Sequence, residues 1–239
     1  MLDLPVIVLC GGLGTRLRAV VNDRPKALAP VGNMSFLAVQ LDLLRDRGAR
    51  HFVLCVGHMA EQIEAVFGNG HALGVRIDYV HDGAKLLGTA GALKCAENFF
   101  APSAIVVNGD TYIDVDLARL ARTHSSASAI ATLTLARVPD ATHYGRIAFD
   151  GDRVTSFREK VVGESRSAWV NAGVYVIERE LLARVPSNTT MSLERDVFPA
   201  AIRDGLTLAT FAQEEAFHDI GTPDALHKFA AMREATHAA

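Results

Sequence analysis

Gly11-Gly12-Leu13-Gly14-Thr15-Arg16-Leu17, with Pro25-Lys26 shortly after, holds the densest set of chemistry-bearing residues in the chain. Glycines let a backbone turn sharply and aim several N–H groups at one anion, and Thr15, Arg16 and Lys26 add a hydroxyl and two cations. The stretch reads as a phosphate seat. A glycine cluster alone would serve a tight strand-to-helix turn equally well; the basic residues tilt the balance. Two common phosphate loops do not fit. The dinucleotide fingerprint needs a third glycine where Leu17 stands and an acidic residue after the second strand, which here ends in Gly57-His58. The Walker pattern G-x-x-x-x-G-K-[ST] is absent.

Two aspartates stand at strand ends farther along, Asp110 in Asn108-Gly109-Asp110 and Asp219 in Phe217-His218-Asp219-Ile220-Gly221-Thr222-Pro223. One such residue is usually a turn former or cap, whereas a pair at the mouth of a sheet suits a hard cation. Mg²⁺ takes one or two carboxylates and fills its shell with waters and substrate phosphate oxygens. Leu87-Gly88-Thr89-Ala90-Gly91 opens a helix, either as a plain start capped by Thr89 or as a surface on which a flat base can lie against glycine backbone. Other chemistries lack their parts: the nine histidines show no H-E-x-x-H, and no serine sits in a G-x-S-x-G elbow.

The elements that must carry these residues follow from periodicity. Val6 to Leu9 is a short apolar, mostly β-branched run, which predicts a strand buried on both faces. Phe36 to Leu44 reads as a helix closed by Gly48, His51 to Val56 as a strand, Met59 to Phe67 as a helix and Val75 to Val80 as a strand. Thr89 to Phe100 is a helix with Leu93 and Phe99 inward, Ala104 to Asn108 a buried strand and Leu117 to His124 a helix. This alternation predicts a largely parallel sheet covered on both faces, with ligands at the carboxyl ends of its strands. Beyond Ala129 the rhythm turns antiparallel. A long strand runs from Ala129 to Val138, a hairpin of Gly145–Phe149 and Val154–Glu159 turns around Asp150-Gly151-Asp152, and another strand spans Ala168 to Ile177. Helices return at Glu178 to Val185 and at Ser192 to Arg203, with Ser192 as a cap, and a last helix starts at Thr222-Pro223. The fold class is therefore α/β, a Rossmann-like three-layer sandwich with a mixed, mostly parallel central sheet. One domain spans 1–239, divided by the change of rhythm into a half of residues 1–128 and a half of residues 129–239.

Composition narrows the class. A net charge of −3 with 21% charged residues offers no basic surface for nucleic acid. No apolar run is long enough for a membrane span or a signal peptide. Cys10, Cys55 and Cys95 lie far apart in apolar surroundings and read as reduced thiols of a cytoplasmic protein.

The opening stretch resembles the signature of the sugar-1-phosphate nucleotidyltransferases, G-G-x-G-T-R-L followed by P-K-x-x-x-P-V, here Gly11–Leu17 and Pro25–Val31. The likeness runs from Val6 to Pro223 with the motifs in family order. It is strongest to the short heptose 1-phosphate guanylyltransferases, whose opening loop reads like Arg18-Ala19-Val20-Val21-Asn22-Asp23-Arg24-Pro25-Lys26. The resemblance implies a nucleotide-diphospho-sugar transferase fold and a nucleoside triphosphate and a sugar 1-phosphate as partners, with nucleotide binding in the 1–128 half and sugar-phosphate binding in the 129–239 half. It also implies Mg²⁺ on Asp110 and Asp219. Leu9, Gly11, Gly12, Gly14, Thr15, Arg16, Lys26, Gly88 and Thr89 would bind the nucleotide. Tyr144, Gly145, Glu159, Lys160, Asn171 and Gly173 would bind the sugar phosphate, and Arg16, Lys26 and Lys160 would be the catalytic cations. Relatives also place an acidic side chain from the Ser192-Leu193-Glu194 region near the sugar. The expected reaction is transfer of GMP from GTP to D-glycero-α-D-manno-heptose 1-phosphate for surface polysaccharide synthesis, by a protein compatible with a homodimer. Many guanylyl-transferring members carry an acidic residue and a proline before Leu-Gly-Thr, where this chain has Lys85-Leu86-Leu87. Asp82, or a main-chain carbonyl between Leu86 and Gly88, would then be the acceptor for guanine. Uridylyl, cytidylyl or thymidylyl transfer to another hexose 1-phosphate is the alternative within the class. A non-catalytic nucleotide-sugar-binding subunit is the alternative outside it, and the full set of Arg16, Lys26, Asp110, Lys160 and Asp219 argues against it.

Overall fold

A computed structural model describes residues 3–17, 20–83, 85–142, 144–158 and 167–237. In chain order its strands are β1 (Val6–Leu9), β2 (Pro30–Val31), β3 (Met34–Ser35), β4 (His51–Val56), β5 (Arg76–His81), β6 (Ser103–Asn108), β7 (Thr111–Ile113), β8 (Ala131–Val138), β9 (Arg146–Asp150), β10 (Arg153–Arg158), β11 (Ala168–Glu178), β12 (Leu208–Gln213) and β13 (Phe217–Asp219). The α-helices are α1 (Phe36–Asp46), α2 (Ala60–Phe67), α3 (Gly88–Cys95), α4 (Leu117–Ala127), α5 (Phe198–Arg203) and α6 (Pro223–His237).

Nine strands form one mixed sheet in the order β5-β4-β1-β6-β11-β8-β12-β10-β9. The run β5-β4-β1-β6 is parallel, as the alternation of strands and helices in the first half requires. β11 joins it antiparallel to both β6 and β8, and the β9–β10 hairpin closes the far edge. Side chains of β1 alternate across the sheet. Val6 and Val8 pack with Leu37, Leu41, Ile63 and Leu120 of α1, α2 and α4, while Ile7 packs with Ala90, Leu93, Phe198 and Ala201 of α3 and α5. Both faces are thus covered, which gives the three layers. A third, smaller core joins Leu17 of the glycine loop and Ile220 to Leu226 and Phe229 of α6.

Several local expectations differ from the structure. Phe100 is the buried aromatic after α3, 3% exposed, and Phe99 is only half-buried, because α3 ends at Cys95 and a 3-10 turn rotates the face. The long strand begins at Ala131 rather than Ala129. Residues Arg179–Arg184 form 3-10 helix, and Leu193–Val197 a π turn leading into α5. Ser192 is the expected cap, accepting from Arg195 N at 3.2 Å. Thr89 is not a cap: α3 begins at Gly88, whose positive φ of 73° lets it close on Met191 O, where a Cβ would lie only 2.5 Å away. Cys10 and Cys55 are buried, but Cys95 is exposed on α3. Among the described residues no helix is long and apolar enough to cross a membrane.

Candidate active site

The carboxyl ends of β1, β4 and β6 open onto a cavity of about 260 Å³, whose lining includes Leu9, Gly11, Gly12, Lys26, Thr89 and Asp110. Its floor exists because the loops approach at backbone distance. A Cβ at Gly11 would lie 3.1 Å from Gly57 N, and one at Gly109 2.7 Å from Leu9 O, so larger residues there would fill the space or push the strands apart. Gly88 also lines the cavity, at the start of α3.

Lys26 and Asp110 meet across 84 residues of sequence, Nζ donating to Oδ2 at 2.7 Å, with the lysine side chain 13% exposed. Gly14, at φ 57°, lets the glycine loop pass over the Lys26 stem, where a Cβ would come within 2.9 Å of Lys26 Cβ. The turn bearing Asp110 is held from below by a residue with no counterpart in the sequence reading. Gln40 of α1 is buried at 2% exposure and donates Nε2 to Asn108 O at 2.9 Å and to Thr111 O at 2.6 Å. A polar residue on an otherwise apolar helix face was the available signal.

Asp219 is brought beside Asp110 by the short β13–β7 ladder, which pairs Asp219 with Thr111, and by Ile220 N donating to Asp110 O at 3.0 Å. Its Oδ1 accepts from Gly221 N at 2.6 Å. Burial, and then the negative Asp110, push the Asp219 carboxyl above its ordinary range, against the weaker pull of Lys26, the Gly221 N–H and Arg16. Two carboxylates brought to one corner suit a shared divalent cation, and the donor set fits Mg²⁺, which needs few protein ligands. Among the described residues there is no cluster of three or more His, Cys, Asp or Glu of the kind an all-protein metal cage would use.

Arg16 and Thr15 are exposed on the loop, outside the cavity lining. The Arg16 guanidinium lies over Gly221, where a Cβ would sit 2.6 Å from Nη2 and 2.7 Å from Asp219 Oδ1. Tyr144 belongs to the same corner: its ring meets Phe217 edge-on at 5.5 Å, and its phenol is raised by burial and by Asp219 and lowered by Arg16. Gly145 is exposed beside it. On β11 the pairing with β8 slips between Asn171 and Tyr175, and there Gly173, at φ 71°, packs against the Asp110 turn. A Cβ on Gly173 would lie 2.8 Å from Asn108 Nδ2 and 2.9 Å from Thr111 Oγ1. Asn171 Oδ1 accepts from Gly173 N at 3.0 Å. Glu159 and Lys160 lie outside the described residues.

Asp82 lines the cavity beside the glycine loop, where a Cβ on Gly11 would lie 3.5 Å from its Oδ2. Its Oδ2 takes the Leu87 N–H at 3.4 Å, and its Oδ1 is buried without a hydrogen-bond partner among the described residues. Burial raises its carboxyl above the ordinary range.

A glycine-walled pocket with a lysine–aspartate pair and a second aspartate at its mouth is the arrangement of a phosphoryl-handling protein. Residues 5–236 match the Nucleotidyl transferase family model, and the chain belongs to that family. Its relatives include the mannose-1-phosphate guanylyltransferase of Mycobacterium tuberculosis, 36% identical over 225 residues, which cover 93% of this chain and 62% of that one. The D-glycero-alpha-D-manno-heptose 1-phosphate guanylyltransferase of Campylobacter jejuni is 32% identical over 227 residues, covering 95% of this chain and 98% of that one. Among solved structures, HddC from Yersinia pseudotuberculosis superposes with a TM-score of 0.84 at 28% identity, covering 96% of this chain and 99% of that one, and has also been solved complexed with GMP-PN. The chain thus spans about three fifths of the mycobacterial relative and nearly all of the other two.

Proposed function

We propose that the protein transfers GMP from GTP to a sugar 1-phosphate, best D-glycero-α-D-manno-heptose 1-phosphate, releasing pyrophosphate. The observation that carries the reading is the convergence of Lys26, Asp110 and Asp219 at the mouth of a glycine-lined cavity. Residues 1–128 hold the nucleotide and 129–239 the sugar phosphate. The sugar phosphate oxygen attacks the α-phosphorus in line and pyrophosphate departs, with no covalent intermediate on the protein. Gly11, Gly12 and Gly14 aim backbone at the triphosphate, with Leu9 beneath them, Thr15 beside them and Gly88 and Thr89 along the base. Arg16 and Lys26 neutralise charge on the triphosphate and Lys160 does so on the attacking phosphate. Tyr144, Gly145, Glu159, Asn171 and Gly173 orient the sugar, which converts an encounter of two anions into a positioned one. Asp110 and Asp219 would hold Mg²⁺, which would supply charge neutralisation to the reacting phosphates. The partner preference rests on the Val20–Lys26 loop and on the heptose and mannose guanylyltransferase relatives.

Guanine is supported by Asp82. Guanine presents N1–H and N2–H donors on one edge, and the Asp82 carboxyl, part of the cavity lining, is the acidic acceptor nearest to where a base would lie. The free thiols Cys10 and Cys55 support a cytoplasmic setting. A pyrophosphate-release panel of GTP, ATP, UTP, CTP and dTTP against heptose, mannose and glucose 1-phosphates tests the proposal. Turnover limited to GTP with a manno-configured sugar is expected, and preference for a pyrimidine nucleotide or no turnover with any pair would refute it.

A further inference from the structure

Tyr175 of β11 is fully buried, yet its hydroxyl is the centre of a polar chain that links β11 to the start of α3. On one side Asn171 Nδ2 donates to the phenolic oxygen at 2.7 Å; on the other the hydroxyl donates to Glu194 Oε1 at 3.1 Å. Glu194 Oε2 accepts from Thr89 Oγ1 at 3.1 Å and from Ser192 Oγ at 2.8 Å, and Thr89 Oγ1 accepts from Leu193 N at 2.8 Å. The start of α3 is stitched to the same segment, Ala90 N donating to Met191 O at 3.0 Å and Met191 N to Leu87 O at 2.9 Å. Both Glu194 oxygens are therefore engaged with protein groups.

The directions along this chain are fixed from both ends, by a carboxylate at Glu194 and by the donor-only N–H of Gly173. An ionised carboxylate only accepts, so Tyr175 must donate to Glu194. Having spent its one proton there, the phenol can only accept from Asn171, which agrees with the Gly173 N–H in placing Nδ2 toward Tyr175 and Oδ1 toward Gly173 N. The phenol stays protonated: burial and the Glu194 charge raise it well above its usual range, and the hydrogen bonds from Asn171 and Asn108 only partly oppose them. One N–H of Asn171 remains for a ligand, at a set angle.

We propose that Tyr175 and Glu194 are positioning residues. Together with the Gly173 N–H they hold the Asn171 amide with its remaining N–H toward the sugar, and they tie it to Thr89 on the nucleotide side, so that the two substrate subsites are held in one register. The inference rests on the sugar-nucleotidyltransferase reading above. Its test is a double-mutant cycle on the full chain, with pyrophosphate release giving kcat and the KM of each substrate. Tyr175→Phe should raise the sugar 1-phosphate KM about tenfold, the scale of a lost orienting hydrogen bond, and leave the GTP KM within about twofold. In an Asn171→Ala background the same change should have no further effect on the sugar KM, because the group it orients is gone. Glu194→Gln, which can donate to the phenol and compete with Asn171 for its oxygen, should reproduce the sugar defect, and it stands in if Tyr175→Phe does not fold. Equal effects with and without Asn171, or an equal rise in both KM values, would overturn the relay while leaving the activity established. A wild-type chain that turns over no sugar 1-phosphate would instead overturn the functional reading, and the relay with it.

Discussion

Gln40 offers a sharp test of how the fold holds Asp110. Replacing it by leucine keeps the volume close and removes the two bonds that clamp the Asn108–Thr111 turn. Each buried carbonyl left without a partner costs about 1–3 kcal/mol. Asn108 O keeps a long contact from Thr111 Oγ1 at 3.4 Å, and leucine also removes Gln40 Oε1, itself buried without a partner among the described residues. These offsets bring the net expectation for Gln40→Leu to about 1–3 kcal/mol, which for a chain of this size is a fall of about 2–12 °C in Tm. Gln40→Glu is isosteric but points carboxylate oxygens at two carbonyl oxygens. It should therefore be worse than Gln40→Leu at neutral pH, by about 3–5 kcal/mol relative to wild type if the charge stays buried and unpaired. The introduced carboxyl would have its pKa raised in the folded state. The variant's relative stability is thus greatest below the ordinary glutamate value and falls as pH rises through the raised one. Urea denaturation of the three proteins at pH 5 and pH 8, with kcat measured in parallel, reads both effects. If Gln40→Leu matches wild type in stability and turnover, or Gln40→Glu is no worse than Gln40→Leu at pH 8, the clamp has no energetic standing.

Three further outcomes follow from the site. The Asp219 carboxyl is raised by burial and by Asp110, so its protonated form favours the fold. That contribution is complete at pH below the ordinary aspartate value and lost as pH rises through the raised one, so Asp219→Asn should unfold at a higher temperature than the metal-free wild type at pH 7 while turnover falls by orders of magnitude. A lower Tm for this variant in chelator would contradict the electrostatic account. Lys26→Ala should raise chiefly the GTP KM and Lys160→Ala chiefly the sugar 1-phosphate KM, and a shared effect on one substrate would end the division of labour. Asp82→Asn should reduce kcat/KM for GTP by about 10–100-fold and narrow its lead over ATP, since an amide can meet guanine's paired donors with only one acceptor. Unchanged discrimination would remove Asp82 from base recognition.

The order of strands and helices was legible because buried runs such as Val6–Leu9 and Ala104–Asn108 carry their environment in their composition, and the alternation with helices dictates parallel pairing. The sharp turn after Val6–Leu9 was legible because glycines directly behind a buried strand mark a close approach of backbone to backbone. Asp110 and Asp219 could be named from strand ends one at a time. Their adjacency came from the β13–β7 ladder, a pairing between segments 108 residues apart by its Thr111–Asp219 register, which no local pattern announces. The sequence likewise permits Thr89 to cap a helix, and packing overrides that choice because Leu193 N and Glu194 lie close enough to claim its hydroxyl. Gln40 and Tyr175 look, letter by letter, like ordinary members of a helix and a strand. Burial makes them matter, since a polar atom withdrawn from water must find a partner, and where that partner lies is fixed only when the chain has folded.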